Sequence, residues 1–125
     1  MFSVVIVDDE IEICEMLRDF LETRGHKART AQSGEEALRI IDEEMPDMVL
    51  LDYNMPGMDG EVTLKEIKNR YQDLPVIMVT INSDRKKLLD LIKKGALDFI
   101  SKPIYINDLE HCLSMQELSL GKKSL

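Results

Sequence analysis

The sequence predicts an α/β fold in which five parallel strands alternate with five helices. Three observations carry that prediction. Five short strand-like runs, Ser3–Val7, Lys27–Ala31, Met48–Asp52, Val76–Thr80 and Asp98–Ser101, are separated by stretches with helical periodicity. Met48-Val49-Leu50-Leu51 and Val76-Ile77-Met78-Val79 are apolar at every position, the pattern of strands buried on both faces of a parallel sheet. No internal repeat or low-complexity linker interrupts the order, which implies right-handed crossovers with helices on both faces. A chain of 125 residues is enough for one such domain with its own core, read as residues 1–120 with a flexible tail at 121–125.

Each element has its own local reason. Ser3–Val7 is apolar and ends in the acids Asp8-Asp9-Glu10. Ile13, Met16, Leu17, Phe20 and Leu21 then form a helical stripe that stops near Gly25. Lys27–Ala31 is a more polar strand, expected near a sheet edge. Ser33-Gly34-Glu35-Glu36 has capping-box spacing and opens a helix through Ala37, Leu38, Ile40 and Ile41. After Pro46 comes Met48–Asp52, then the turn Asn54-Met55-Pro56-Gly57. Val62, Leu64, Ile67 and Lys68 mark a third helix ending before Pro75. Ser83 or Asp84 can cap the fourth, whose stripe is Leu88, Leu89, Leu91 and Ile92, with Gly95 as its stop. The last helix is expected from Asn107 to Leu118, with Asn107 and Glu110 at capping-box spacing.

Bulk properties narrow the function class. Hydrophobic residues make up 44% and charged residues 32%, as in ordinary globular domains. A net charge of −8 argues against direct nucleic-acid binding, which needs a basic footprint. No apolar run is long enough to span a bilayer and no stretch resembles a signal peptide, so a cytoplasmic location and no membrane partner are expected. Cys14 and Cys112 lack metal-ligand spacing and read as free thiols in a reducing compartment.

The strand ends hold the chemistry. Asp8-Asp9, Asp52, Thr80 and Lys102 fall at the carboxyl ends of four strands, the edge where open α/β sheets place their ligands. Carboxylates about 4 Å apart at an effective dielectric of about 20 repel by roughly 4 kcal/mol per pair. Such a cluster calls for raised pKa values or a cation, and oxygen-only ligands favour Mg²⁺. Lys102 supplies a point charge and Thr80 a hydroxyl for a phosphoryl group, and Asp52 can accept one as an aspartyl phosphate. Taken singly, each residue also has a plainer reading: a helix-capping Asp, an ordinary strand-end Thr, a solvated Lys. Their arrival together on one edge favours a joint site.

Val7-Asp8-Asp9-Glu10, Leu51-Asp52-Tyr53-Asn54-Met55-Pro56-Gly57-Met58-Asp59-Gly60, Val79-Thr80 and Asp98-Phe99-Ile100-Ser101-Lys102-Pro103 resemble the motifs of the receiver domains of bacterial two-component response regulators. The resemblance covers Phe2 to Leu118. It implies a flavodoxin-like (βα)5 doubly wound parallel sheet of strand order 2-1-3-4-5, an order for which a chemotaxis receiver is a standard example. It further implies that Asp52 is the phosphoacceptor and that Lys102 and Thr80 bind the phosphoryl group. Asp9, Asp52 and the backbone carbonyl of Asn54 would ligate Mg²⁺ directly, with Asp8 acting through water. Thr80 and Phe99 would form the switch that remodels the surface of the fourth helix, fifth strand and fifth helix. For Phe99 a plain core role is the alternative. The Lys102-Pro103 peptide is expected to be cis. The implied partners are a sensor histidine kinase or phosphotransfer protein as donor, and a downstream effector protein or a C-terminal output domain as recipient. Activity of its own would be confined to weak self-phosphorylation and autodephosphorylation.

Two departures stand out. Ile81 follows Thr80 where receivers commonly carry a small residue, which predicts a narrowed approach to Asp52. Ile104 replaces a frequent Phe after Pro103. Arg85, Lys86, Lys87, Lys93 and Lys94 make the fourth helix basic, either as a docking surface for an acidic partner or as a solvated face. The other function classes fit less well. A phosphohydrolase of the haloacid dehalogenase kind needs Asp-x-Asp, and Asn54 occupies the third position. A flavin domain needs a Gly/Ser/Thr-rich loop after the first strand, where acids stand instead. A scaffold-only receiver is disfavoured by the intact acids, Thr80 and Lys102.

Overall fold

The computed structural model describes residues 2–81 and 84–120. Its elements run β1 (Ser3–Val7), α1 (Ile11–Thr23), β2 (Lys27–Ala31), α2 (Gly34–Glu43), β3 (Met48–Asp52), α3 (Gly60–Arg70), β4 (Val76–Thr80), α4 (Arg85–Lys93), β5 (Asp98–Ser101) and α5 (Ile106–Leu120). All strand pairs are parallel and the order is β2-β1-β3-β4-β5, the doubly wound arrangement expected from the sequence. The predicted tail at 121–125 and the alternative cap Ser83 lie outside the described residues.

The two-residue period of the strands sorts the core into two layers. Val5, Val7, Val49, Leu51, Val76 and Met78 face one way and meet Leu38, Ile41, Leu64, Ile67 and Leu91 of α2, α3 and α4. Val4, Ile6, Met48, Leu50, Ile77 and Ile100 face the other way and meet Leu17, Leu21, Leu109 and Leu113 of α1 and α5. β3 and β4 are buried at every residue, which is why they read as unbroken apolar runs. Cys14 and Cys112 are buried free thiols in the α1/α5 layer, each pushed up to about 11, chiefly by burial.

Helix ends follow their caps. Ser33 accepts from the Glu36 amide at 3.1 Å, Asp59 from Val62 at 2.9 Å and Asp84 from Lys86 at 3.0 Å. Gly95 sits at φ +113°, the left-handed conformation that ends α4 without strain. The last helix differs from its sequence reading. It starts at Ile106, the Tyr105 carbonyl accepts from the Asp108 and Leu109 amides, and Glu110 reaches across to Arg24 rather than back to a cap.

Four apolar side chains of the predicted stripes, Met16, Val62, Leu89 and Ile92, are exposed. In α1 the buried seam is Cys14, Leu17 and Leu21, and in α3 Thr63 takes the inward place beside Leu64. The Thr63 hydroxyl is satisfied by donating to the Asp59 carbonyl at 2.8 Å, so it can be buried. In α4 only Leu88 and Leu91 are buried. A helix on one face of a sheet buries a narrow seam, and apolar residues beside it remain in solvent.

Candidate functional site

β1 and β3 are adjacent and in register, Val7 opposite Leu51, so Asp8 and Asp9, which follow β1, and Asp52, the last residue of β3, arrive at the same edge. Asp8 and Asp52 are 3% and 2% exposed, whereas Asp9 is open to solvent. One carboxylate oxygen from each of the three lies within 4.8 Å of the others. The Asp8 carboxylate accepts from the Glu10 amide at 2.9 Å, and Asp52 Oδ1 accepts from the Asn54 amide at 3.1 Å.

β4 hands over to β5 so that Thr80 pairs with Ser101, and the Lys102 amide donates to the Thr80 carbonyl at 2.8 Å. The Lys102-Pro103 peptide is cis, as expected, and the Lys102 side chain reaches the acids. Its ammonium lies 2.9 Å from Asp52 Oδ1 and 3.8 Å from Asp8 Oδ2. Among the described residues Asp52 Oδ2 is buried with no hydrogen-bond partner.

The electrostatics agree with the geometry. Burial, helped by the charges of Asp52 and Asp9, raises the Asp8 carboxyl from 3.8 to about 6 against the pull of the Glu10 amide and Lys102. Burial draws Lys102 down, but the hydrogen bond and charge of Asp52, with Asp8 and Glu10 behind it, hold it above the usual lysine value. One ammonium against three converging carboxylates leaves an excess of negative charge. An oxygen donor set with one buried oxygen unpartnered suits a hard divalent cation.

The α3 N-terminus closes over the end of β3. A Cβ on Gly60 would fall inside the van der Waals envelope of the Asp52 carbonyl oxygen and 2.5 Å from Tyr53 Cα, so only glycine allows this approach. Thr80 is fully buried at the end of β4. Phe99 stands opposite Met78 and is half-buried against the α2/α3/α4 layer. The structure thus gathers Asp8, Asp9, Asp52 and Lys102 in one contact cluster, with Asn54 attached through its amide. Thr80 lies at the same sheet edge, and Phe99 packs on the layer below it.

Two features of this edge were not anticipated. Glu10 contributes its backbone amide to Asp8, a role that depends on chain geometry and carries no residue-type signal. A cleft of about 510 Å³ also opens beside Lys102, lined by Ile13, Met16, Ile81 and Ile104 with Glu10 at its margin. Ile81 is 70% exposed on this rim. Met16, an exposed residue of the α1 stripe, lines this cleft.

Comparison with known proteins agrees with this architecture. The model of the response regulator receiver domain family matches residues 4–114. Transcriptional regulatory protein ZraR of Escherichia coli (strain K12) is 37% identical over 111 residues, 89% of this chain and 25% of that protein. The chain spans about a quarter of the length of the first curated relatives it matches. The crystal structure of the receiver domain of NtrX from Brucella abortus superposes with a TM-score of 0.84 at 33% identity, covering 90% of this chain and 96% of that one. A two-component response regulator from Clostridium difficile shares the fold, with a TM-score of 0.90 at 24% identity over 98% of this chain and all of that one (100%). Among the described residues no helix is long and apolar enough to cross a membrane. With its five-stranded sheet, its acidic edge and a family match along most of its length, the chain belongs to the response regulator receiver domain family, the signalling domain of two-component systems.

Proposed function

We propose that Asp52 is a phosphoacceptor and that the domain relays a phosphoryl group from a histidine kinase or phosphotransfer protein to an effector or an attached output domain. The observation that carries this reading is the state of Asp52. Its carboxylate is buried and paired with Lys102, with one oxygen held by two donors and, among the described residues, the other left without a partner. An ordinary structural carboxylate at this burial would have both oxygens satisfied.

In the proposed reaction a carboxylate oxygen of Asp52 attacks phosphorus in a phosphohistidine. The P–O bond forms as the P–N bond breaks, and the departing imidazole nitrogen keeps the bonding pair and takes a proton. Lys102 leaves the Asp52 oxygen to hold a phosphoryl oxygen, and the Thr80 hydroxyl donates to another. Asp9, Asp52 and the Asn54 carbonyl would hold Mg²⁺ directly and Asp8 would hold it through water. Bound there, the ion neutralises the acids and the phosphoryl oxygens. The new charge draws Thr80 in, Phe99 follows into the space released, and the α4–β5–α5 surface changes its partner preference.

The apolar cleft beside Lys102 supplies a landing surface for the donor protein, next to the reacting carboxylate. A kinase donor places the domain in the cytoplasm, and the acidic balance supports protein partners rather than direct contact with nucleic acid or membrane. The only chemistry of its own would be slow self-phosphorylation from small donors and slow hydrolysis of the aspartyl phosphate.

Incubation with Mg²⁺ and acetyl phosphate, followed by intact mass analysis, tests the reading. It should yield a single acid-stable, base-labile phosphoryl adduct that disappears in Asp52→Asn. An adduct that persists in that variant, or none in the parent chain, would overturn it.

A further inference from the structure

The two ring nitrogens of His26 face different parts of the chain. The residue ends the turn between α1 and β2, after Gly25 at φ +84°. Its side chain is only 8% exposed. Nδ1 accepts from the Phe2 amide at 3.0 Å, and the ring lies beside that of Phe2 with centroids 5.6 Å apart. The Lys27 amide donates to the Phe2 carbonyl at 2.8 Å. Both backbone groups of Phe2, the residue before β1, are therefore held by positions 26 and 27. An Nδ1 that accepts from an amide carries no proton, so the neutral ring bears its proton on Nε2.

Nε2 faces α5. It lies 3.9 Å from Glu117 Oε1, too far for a direct hydrogen bond but within ion-pair range of a charged ring. A cleft of about 320 Å³ opens here, lined by Arg24, His26, Glu110, Leu113, Ser114 and Glu117. Glu110 and Glu117 are about two turns apart on α5 and share this face. Arg24 engages Glu110 and stacks on the Phe20 ring at 4.2 Å, so Glu117 is the carboxylate that the ring faces. Burial keeps His26 below the ordinary histidine value; the Glu117 charge works against it, and the amino-terminal charge and Arg24 work with it. The folded protein thus favours the neutral ring, and the stability this provides is lost as pH falls below that ordinary value.

We propose that His26 is a proton-operated clasp between the start of β1 and the second half of α5. Neutral, it holds the Phe2 amide. When the ring takes up a proton, Nδ1 becomes a donor opposite another donor and the Phe2 bond breaks. The ring then turns into the cleft toward Glu117. One proton exchanges a main-chain tie to β1 for an ion pair to α5. This helix belongs to the surface that phosphorylation of Asp52 is proposed to remodel. Only the consequence for that surface, and not the clasp itself, rests on that reading.

The test is an NMR titration of the isotope-labelled 125-residue chain from about pH 8 to about pH 5, without Mg²⁺ or phosphodonor. His111, the other histidine, is exposed on α5, so the titration is run in a His111→Gln background. Asp8 also titrates, near 6, but at the opposite end of β1 from Phe2. The His26 ring should titrate with a midpoint below the ordinary histidine value. The amides of Phe2, Ser114 and Glu117 should shift with that same midpoint, and protection of the Phe2 amide from exchange should fall about tenfold across it. His26→Asn offers an acceptor that does not titrate, and should abolish the pH dependence at all these reporters. Glu117→Gln should move the His26 midpoint lower still, and it reads the clasp without altering the buried ring if His26→Asn does not fold. A midpoint at or above the ordinary value, a Phe2 amide indifferent to it, reporters that still titrate in His26→Asn, or a midpoint unmoved by Glu117→Gln each overturns the proposal. Since no phosphoryl transfer is involved, a failure here leaves the Asp52 chemistry standing, and a failure of Asp52 to label leaves the clasp standing.

Discussion

The ammonium of Lys102 lies 2.9 Å from Asp52 Oδ1, and the Asp52 side chain is 1% exposed. Removing one partner of such a pair strands the other charge away from water. In Lys102→Met the acid cluster loses its paired cation. Urea unfolding in EDTA should show a loss of roughly 2–4 kcal/mol. Added Mg²⁺ should recover more stability in the variant than in the parent, because more uncompensated charge awaits it. Equal unfolding midpoints in EDTA would contradict the assignment.

Asp8 sets a pH dependence in the metal-free protein. Its carboxyl titrates near 6 in the fold against 3.8 unfolded, so the folded state holds an extra proton between those values. The stability this provides is complete below about pH 4 and is lost as pH rises through about 6, a cost of up to roughly 3 kcal/mol. Asp8→Asn should therefore be more stable than the parent at neutral pH in EDTA, with the difference shrinking as the buffer is acidified. The same variant should respond less to Mg²⁺. A stability profile parallel to the parent's from pH 4 to 7 would contradict the placement of Asp8.

Gly60 allows α3 to begin directly over the β3 carboxyl end. In Gly60→Ala the new methyl meets backbone atoms of Asp52 and Tyr53, which cannot swing aside as a flexible side chain can. Thermal unfolding should show a loss of about 1–3 kcal/mol, the usual cost of overpacking. Labelling of Asp52 should slow in proportion to the displacement of its strand end. A melting curve unchanged from the parent would mean that α3 can retreat at no cost.

Ile81 stands on the rim of the cleft beside Lys102 with most of its surface in water. Ile81→Ala removes no core contact, so stability should change by no more than about 0.5 kcal/mol. Phosphorylation by acetyl phosphate in Mg²⁺ should become several-fold faster if the side chain narrows the approach to Asp52. Unchanged phosphorylation and dephosphorylation rates would remove Ile81 as a kinetic determinant.

How far the sequence could be read depended on the kind of signal. β3 and β4 were plain because burial on both faces demands apolar residues at every position. The caps at Ser33 and, as one of two alternatives, Asp84 follow from short-range backbone geometry, which local residue type reports directly; the Asp59 cap on α3 emerged only from the structure. Boundaries and faces were harder. α5 begins at Ile106 because the Tyr105 carbonyl closes its first turn, a main-chain event that the Asn107 and Glu110 side chains do not reveal. Met16 and Leu89 fit a helical stripe, yet only the packing of each helix on the sheet decides which side of the stripe is buried.

By itself the sequence determined the order of elements, the parallel sheet and the acids, threonine and lysine at the strand ends, because hydrophobic periodicity and residue chemistry are properties of the chain. The resemblance also anticipated β1 beside β3, and tertiary structure alone supplied the distances, with Asp8, Asp9 and Asp52 converging within 4.8 Å and the Lys102 ammonium 2.9 Å from Asp52. Tertiary structure also decided that, among the described residues, Asp52 keeps one buried oxygen without a partner, and that Met16 and Ile81 lie beside Lys102 while Leu89 and Ile92 stay exposed on α4. The reason is physical: distances between residues far apart in the chain, and the water excluded between them, arise only when the layers pack.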